Sequence, residues 1–119
     1  MNTARLISRI KAHPSYERVG MILCHNGVVR GTSRDGRRVT GLRVAVDRER
    51  LTQVIRQQKA RRGIVDIQVE IAADTDLAVG DDVMVLAVAG DIREHVIDVL
   101  ADTLNAIKSS VTVKTEFFV

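Results

Sequence analysis

The sequence predicts an α+β fold, a two-layer domain with a mostly antiparallel sheet and helices on one face. Three observations lead there. Short segments with two-residue alternation are interleaved with capped segments of helical period. From "VTGLRVAV" onward, the order of these segments is β-α-β-β-α-β, with one further helix and strand in front. One strand, "VMVLAVAG", is apolar without interruption, which marks it as central.

"NTARLISRIKAH" sets Leu6, Ile7 and Ile10 at helical spacing, with Thr3 as a candidate cap and Pro14 as a stop. "ERVGMILCH" is a strand. The loop "NGVVRGTSRDGRRVTG" follows, with Gly27, Gly31, Gly36 and Gly41 as turn signals and Arg30, Arg34, Arg37 and Arg38 among them. After the strand "VTGLRVAV", "DRERLTQVIRQQKARRG" is a helix capped by Asp47 and closed by Gly63, with Leu51, Val54 and Ile55 as its apolar face. "IVDIQVEIA" alternates Val65, Ile67, Val69 and Ile71 with Asp66, Gln68 and Glu70, the pattern of a half-buried strand. "DTDLAVGDD" is a turn leading to the central strand.

"DIREHVIDVLADTLNAIK" opens with Asp91 and Glu94 as an Asp-led capping box, and Val96, Ile97, Leu100, Leu104 and Ile107 make its core stripe. "SSVTVKTEFFV" breaks that helix at Ser109-Ser110 and gives a final strand, with Val111 and Val113 expected on the core side and Thr112 and Lys114 on the other.

With 119 residues, a 45% hydrophobic share and a mean hydropathy of +0.03, residues 1–119 are expected to form a single domain. Aromatics make up only 3%, so the core must be aliphatic. A formal charge of +3 and a pI near 9.5 suit an anionic ligand, an acidic partner or nucleic acid. Nucleic-acid-binding sheets of this topology stack bases on exposed aromatics. Tyr16, Phe117 and Phe118 are the only aromatics and none falls in a central-strand motif, so a basic nucleic-acid-binding module is the least favoured reading. Cys24 excludes an internal disulfide, sits in an apolar run, and reads as a structural thiol in a reducing compartment. No apolar run reaches the length of about 20 residues that spans a bilayer, and the start of the sequence lacks a signal-peptide core; a cytoplasmic protein without membrane contact is expected.

His13, His25 and His95 lack metal-ligand spacing, so no metal is expected, and no phosphate-loop or dinucleotide motif is present. What remains is a set of cations. Arg30 follows a strand directly; Arg93 sits in the first turn of the long helix, where free backbone N–H groups favour anions. Lys108 ends that helix and Lys114 lies on the next strand, a separation of at most about 20 Å if fully extended. Together these four groups suit a phosphate or carboxylate ligand, although Lys108 could equally do no more than complement its helix dipole.

Three stretches resemble the large, catalytic subunit of molybdopterin synthase, over roughly residues 19 to 116. "GMILCHNGVVRG" is similar to the family's strand ending in Gly-x-Val-Arg, with Arg30 at the arginine. "IVDIQVEIAADTDLAVGDDVMVLAVAG" resembles its strand, Gly-Asp turn and Val-rich strand. "REHVIDVLADTLNAIKSSVTVKTE" resembles its long helix ending in Leu-Lys and its strand ending in Lys-x-Glu.

The resemblance implies molybdenum cofactor biosynthesis. A small ubiquitin-like sulfur-carrier subunit would insert a C-terminal Gly-Gly thiocarboxylate, and sulfur would pass to a cyclic pyranopterin phosphate in two rounds that create the dithiolene. It further implies a sulfurtransferase with no cofactor of its own, a homodimer of large subunits, and a heterotetramer with the carrier. Lys114 becomes the principal catalytic lysine, Lys108 its neighbour, and Arg30 and Arg93 the anion-binding residues; all four are expected in one pocket. Ile92-Arg93 stands where the family usually carries His-Arg. That departure leaves open a second reading, a non-catalytic relative that binds the sulfur carrier or an anionic ligand.

Overall fold

The computed structural model describes all residues from Met1 to Val119. Helices are α1 (Thr3–Lys11), α2 (Arg48–Lys59) and α3 (Arg93–Ser110). Strands are β1 (Met21–Val28), β2 (Val39–Val46), β3 (Ile64–Ile71), β4 (Leu77–Ala78), β5 (Asp82–Gly90) and β6 (Thr112–Phe118). They form two three-stranded antiparallel sheets, ordered β1-β5-β3 and β4-β2-β6. The fold is α+β, with every strand pairing antiparallel.

β5 is central, as its unbroken apolar run predicts, and Met84 to Ala89 are all buried. A strand buried on both faces needs two covers. On one face α2 and α3 pack Ile55, Val96 and Val99 against Ile67, Leu86 and Val88. On the other, α1 packs Leu6 and Ile10 against Val85, Ala87 and Ala89. The two helices of the β-α-β-β-α-β segment thus share one face, and the leading helix covers the reverse.

That leading helix changes the reading of β3. Its polar side, expected to face water, lies under α1 and is neutralised by ion pairs: Arg9 to Glu70 at 2.9 Å, with Arg5 at 3.7 Å. Asp66 is buried, pairs with Lys59 at 3.2 Å and accepts from the Ile67 N–H. An isolated buried carboxylate is costly, and these partners offset that cost.

Local signals are met unevenly. Asp47 caps α2 by accepting from the Arg50 N–H at 3.0 Å. At α1 the cap is Asn2, which accepts from the Arg5 N–H, while Thr3 is the first helical residue. Asp91 does not cap α3; its Oδ1 accepts from the Ile92 N–H and from His95 Nδ1 at 2.8 Å. Ile97 leaves the expected stripe and is about half exposed, whereas Thr103 is fully buried, because positions 96, 99, 103 and 107 follow the helix period toward β5.

At the end of α3 the helix runs through both serines, and Val111 makes the break with its N–H bonded to the Ile107 carbonyl. Val111 is therefore a buried capping residue and Val113 a strand residue, on opposite sides rather than one. Val113 is 69% exposed.

Candidate functional site

The two sheets meet at a cleft of about 360 Å³ lined by β1, the loop after it, α3 and β6. Each lining side chain is set by its element. Alternation along β1 turns Met21 and Leu23 toward α3, and His25 shares their face. Arg30 stands just beyond β1 and is folded back by a hydrogen bond from its Nε to the Thr32 carbonyl, 2.8 Å. Lys108 lies one turn beyond Leu104 in the last turns of α3, and Lys114 and Glu116 project from alternate positions of β6.

The loop that carries Arg34 is held rather than slack. Thr32 and Arg38 form a bridge, the Ser33 N–H donates to the Arg37 carbonyl at 2.9 Å, and the Arg37 N–H donates to Ser33 Oγ. Gly36 takes φ +86° at the tip, a conformation that favours glycine. Ser33 Oγ also donates to Asp35, and that bond, with smaller contributions from Arg37, lowers the Asp35 pKa. The Arg37 guanidinium stacks 3.6 Å above the Phe118 ring and ties the loop to β6.

A second cavity of about 270 Å³ adjoins the first and shares Arg34, Lys108, Lys114, Val83 and Met84 with it. Its remaining wall includes Val44, Ile71 and Ile107, so an apolar pit opens behind a cationic mouth. Four cations face one carboxylate in the mouth, and Arg30, Arg34, Lys108 and Lys114 make no ion pair. Unpaired ammonium and guanidinium groups gathered in a cleft have the chemistry that suits a phosphate or carboxylate.

Arg30, Lys108 and Lys114 thus come together, whereas Arg93 does not join them. It sits at the opposite end of α3, about 22 Å from Lys108 at 1.5 Å of rise per residue. There it pairs with Glu94 at 3.4 Å on an exposed surface beside Gly20, Met21 and Asp91. Expectation of one four-cation pocket within a single chain fails for this residue. A helix dipole attracts anions to Arg93, but helix length carries it away from the lysines.

Arg34 and His25, like Glu116, line the cleft without being singled out as site residues from the sequence. Arg34 was visible only as one of four loop arginines, and nothing in the spacing distinguishes it. His25 was considered only as a metal ligand, although its position two residues before Gly27 sets it on the cleft side of β1. Burial, and then the charge of Lys108, lower the His25 pKa. Burial raises that of Cys24, which packs against the α1 cluster on the other face. No three His, Cys, Asp or Glu side chains gather in a metal-binding group. No helix is long and apolar enough to cross a membrane.

Two antiparallel sheets clasping a cationic cleft define the class of protein to which the chain must be compared. The model of the family described as MoaE protein matches residues 2–110, and the chain belongs to that family. Solved structures agree in fold. A molybdopterin biosynthesis MoaE protein from Burkholderia ambifaria superposes with TM-score 0.78 at 15% identity, covering 100% of this chain and 82% of that one. Molybdopterin synthase from Staphylococcus aureus gives 0.73 at 18%, covering 87% and 77%. A complex of subunits 1 and 2 of molybdopterin-converting factor from Helicobacter pylori gives 0.71 at 14%, covering 99% and 84%. No curated protein matches the sequence.

Proposed function

We propose that this protein is the large subunit of a molybdopterin synthase and works in molybdenum cofactor biosynthesis. It moves sulfur from a thiocarboxylated ubiquitin-like carrier to a cyclic pyranopterin phosphate. The observation that carries this reading is the convergence of Arg30, Arg34, Lys108 and Lys114, without ion-pair partners, on one cleft of a MoaE-family chain. A structural relative from Helicobacter pylori is a complex of two different subunits, which supports a small partner for this chain as well.

Chemistry and geometry fit one another. The pyranopterin phosphate needs cations, and Arg30 and Arg34 supply them at the mouth. Sulfur of the carrier's thiocarboxylate forms a bond to a pterin side-chain carbon as that carbon's bond to an oxygen substituent breaks and the oxygen leaves with the electron pair. The carrier is then joined through an acyl–sulfur bond that water must cut. Both stages develop negative charge on oxygen, and Lys108 and Lys114, which both line the site, stabilise it. Lys114 also has a transferable proton and serves as the general acid. The apolar pit beneath the lysines accepts the narrow Gly-Gly end of the carrier and keeps bulk water from the reacting bond.

Residues 1–119 act as one domain in this scheme. They assemble as a homodimer, supported by the apolar Val113 and Phe117 left exposed on the outer side of β6, and the homodimer joins two carriers in a heterotetramer.

A reconstituted assay tests the proposal: purified chain, thiocarboxylated carrier and pyranopterin precursor, with carrier and pterin followed by mass spectrometry. The expected result is loss of the carrier's sulfur with stoichiometric gain by the pterin. Carrier binding without sulfur transfer would instead identify a non-catalytic relative. Arg30→Ala should raise the apparent KM for precursor more than it lowers kcat, because it removes anion binding common to ground and transition states.

A further inference from the structure

One polar group of the cleft has no place in the scheme above. His25 lies on β1, opposite Leu86 of the central strand, and its ring makes no hydrogen bond within the protein. Its edge is free because residue 27 is glycine: a Cβ at Gly27 would come within 3.2 Å of His25 Nε2. Around it, Lys108 comes from α3, Lys114 and Glu116 from β6, and Arg30 and Arg34 from the loop.

Those neighbours decide what the ring can do. Ammonium and guanidinium groups donate hydrogen bonds and have no lone pair to offer. Carboxylates as a class are weak proton acceptors near neutral pH, whereas an unprotonated imidazole is matched to that range. We propose that His25 is the proton acceptor of the cleft, taking a proton from the water that hydrolyses the acyl–sulfur bond. This rests on the sulfur-transfer reading above.

In that step one O–H bond of water breaks and its proton passes to His25 Nε2. Water's oxygen forms a C–O bond to the carrier's acyl carbon, and the C–S bond breaks. Sulfur leaves on the pterin with the bonding electron pair as a thiolate, facing the lysine ammonium groups. The carrier is released as a carboxylic acid that ionises by giving its remaining proton to bulk water, and no oxidant or reductant is consumed. Burial and the Lys108 charge favour the unprotonated ring, the form the step requires.

The test is single-turnover release of carrier from the acyl–sulfur adduct, measured for wild type, His25→Ala and His25→Gln, with and without added imidazole. His25→Ala should slow release about 100-fold, at the lower end of general-base effects. Imidazole should restore much of that rate in His25→Ala and none in wild type. His25→Gln, similar in size, should stay slow and should lose the fall in rate that wild type shows as the pH drops through the histidine range. Wild-type release in both variants, or a slow His25→Ala that imidazole leaves unchanged beside a normal His25→Gln, would overturn the assignment while leaving the sulfur-transfer reading intact. A wild-type chain that never forms the adduct would overturn both.

Discussion

The two sheets solve different problems with similar strands. In β1-β5-β3 the middle strand is sealed on both faces, by α1 on one and by α2 and α3 on the other. In β4-β2-β6 only the inner face is packed, through Val39, Leu42 and Val44, and the outer face leaves Val113 and Phe117 in the open. Stability is concentrated in the first sheet. The second is half a structural element and half a working surface: its inner side lends Lys114 and Glu116 to the cleft, and its outer side is available to a second subunit.

Single substitutions can break or sharpen this division. The largest effect should come from Lys114→Ala in the second sheet, which should lower turnover about 10²–10⁴-fold in the reconstituted assay. Its urea midpoint should stay near that of wild type, since Lys114 is exposed and makes no ion pair. Loss of activity accompanied by loss of fold would erase the proposed separation. Next, Leu86→Ala at the fully buried centre of the first sheet should cost about 2–5 kcal/mol of unfolding free energy, read from urea denaturation.

A smaller effect should follow acidification. His25 has a lowered pKa in the folded chain, so the unfolded chain takes up this proton first as pH falls. Stability from the neutral ring is fully present above the ordinary histidine value of about 6.5 and is lost progressively as pH falls from there through the lower folded-state value. Urea midpoints at pH 7 and pH 5.5 should therefore differ less in His25→Gln than in wild type; equal differences would mean the ring is not held neutral. Least of all, Val113→Lys should change the stability of separated protomers by no more than about 0.5 kcal/mol. In sedimentation it should shift a wild-type dimer toward monomer, and a wild type that is already monomeric at every concentration would contradict the proposed assembly.

What the sequence revealed divides along the same line. The uninterrupted apolar run of β5 announced a central strand, and Asp47 announced the start of α2, because periodicity and capping are local signals. The burial of Asp66 and the half-burial of Glu70 were hidden, since only the docking of helices, with Lys59 of α2 on the first and Arg5 and Arg9 of α1 on the second, encloses a face that alternation assigns to solvent. Val113 was misplaced because Val111 is the buried cap of the helix and not part of the strand. Its burial therefore does not set the alternation of β6, whose inward face carries Thr112 and Glu116 and whose outward face carries Val113. At the site, Lys108, Lys114 and Arg30 were recoverable through family resemblance, whereas Arg93 shows that an anion-friendly position says nothing about which end of a helix faces the cleft. His25 and Arg34 owe their place to a tertiary approach of β1 and its loop to α3 and β6, which no spacing rule encodes.

The pairing order of the strands also has a consequence for how the chain reaches this state. β1 must find β5 across a sequence separation that pairs Met21 with Gly90, and β2 must find β6 across one that pairs Val39 with Phe118. Ladders between distant segments form slowly, because loop-closure entropy is lost before the contacts return it. During synthesis β1, β2 and β3 all emerge before their partners, so their edges stay open until β5 and then β6 have left the ribosome. Lys114 is on the last of these strands, and the cleft therefore closes only after the chain has been made through residue 114 and beyond.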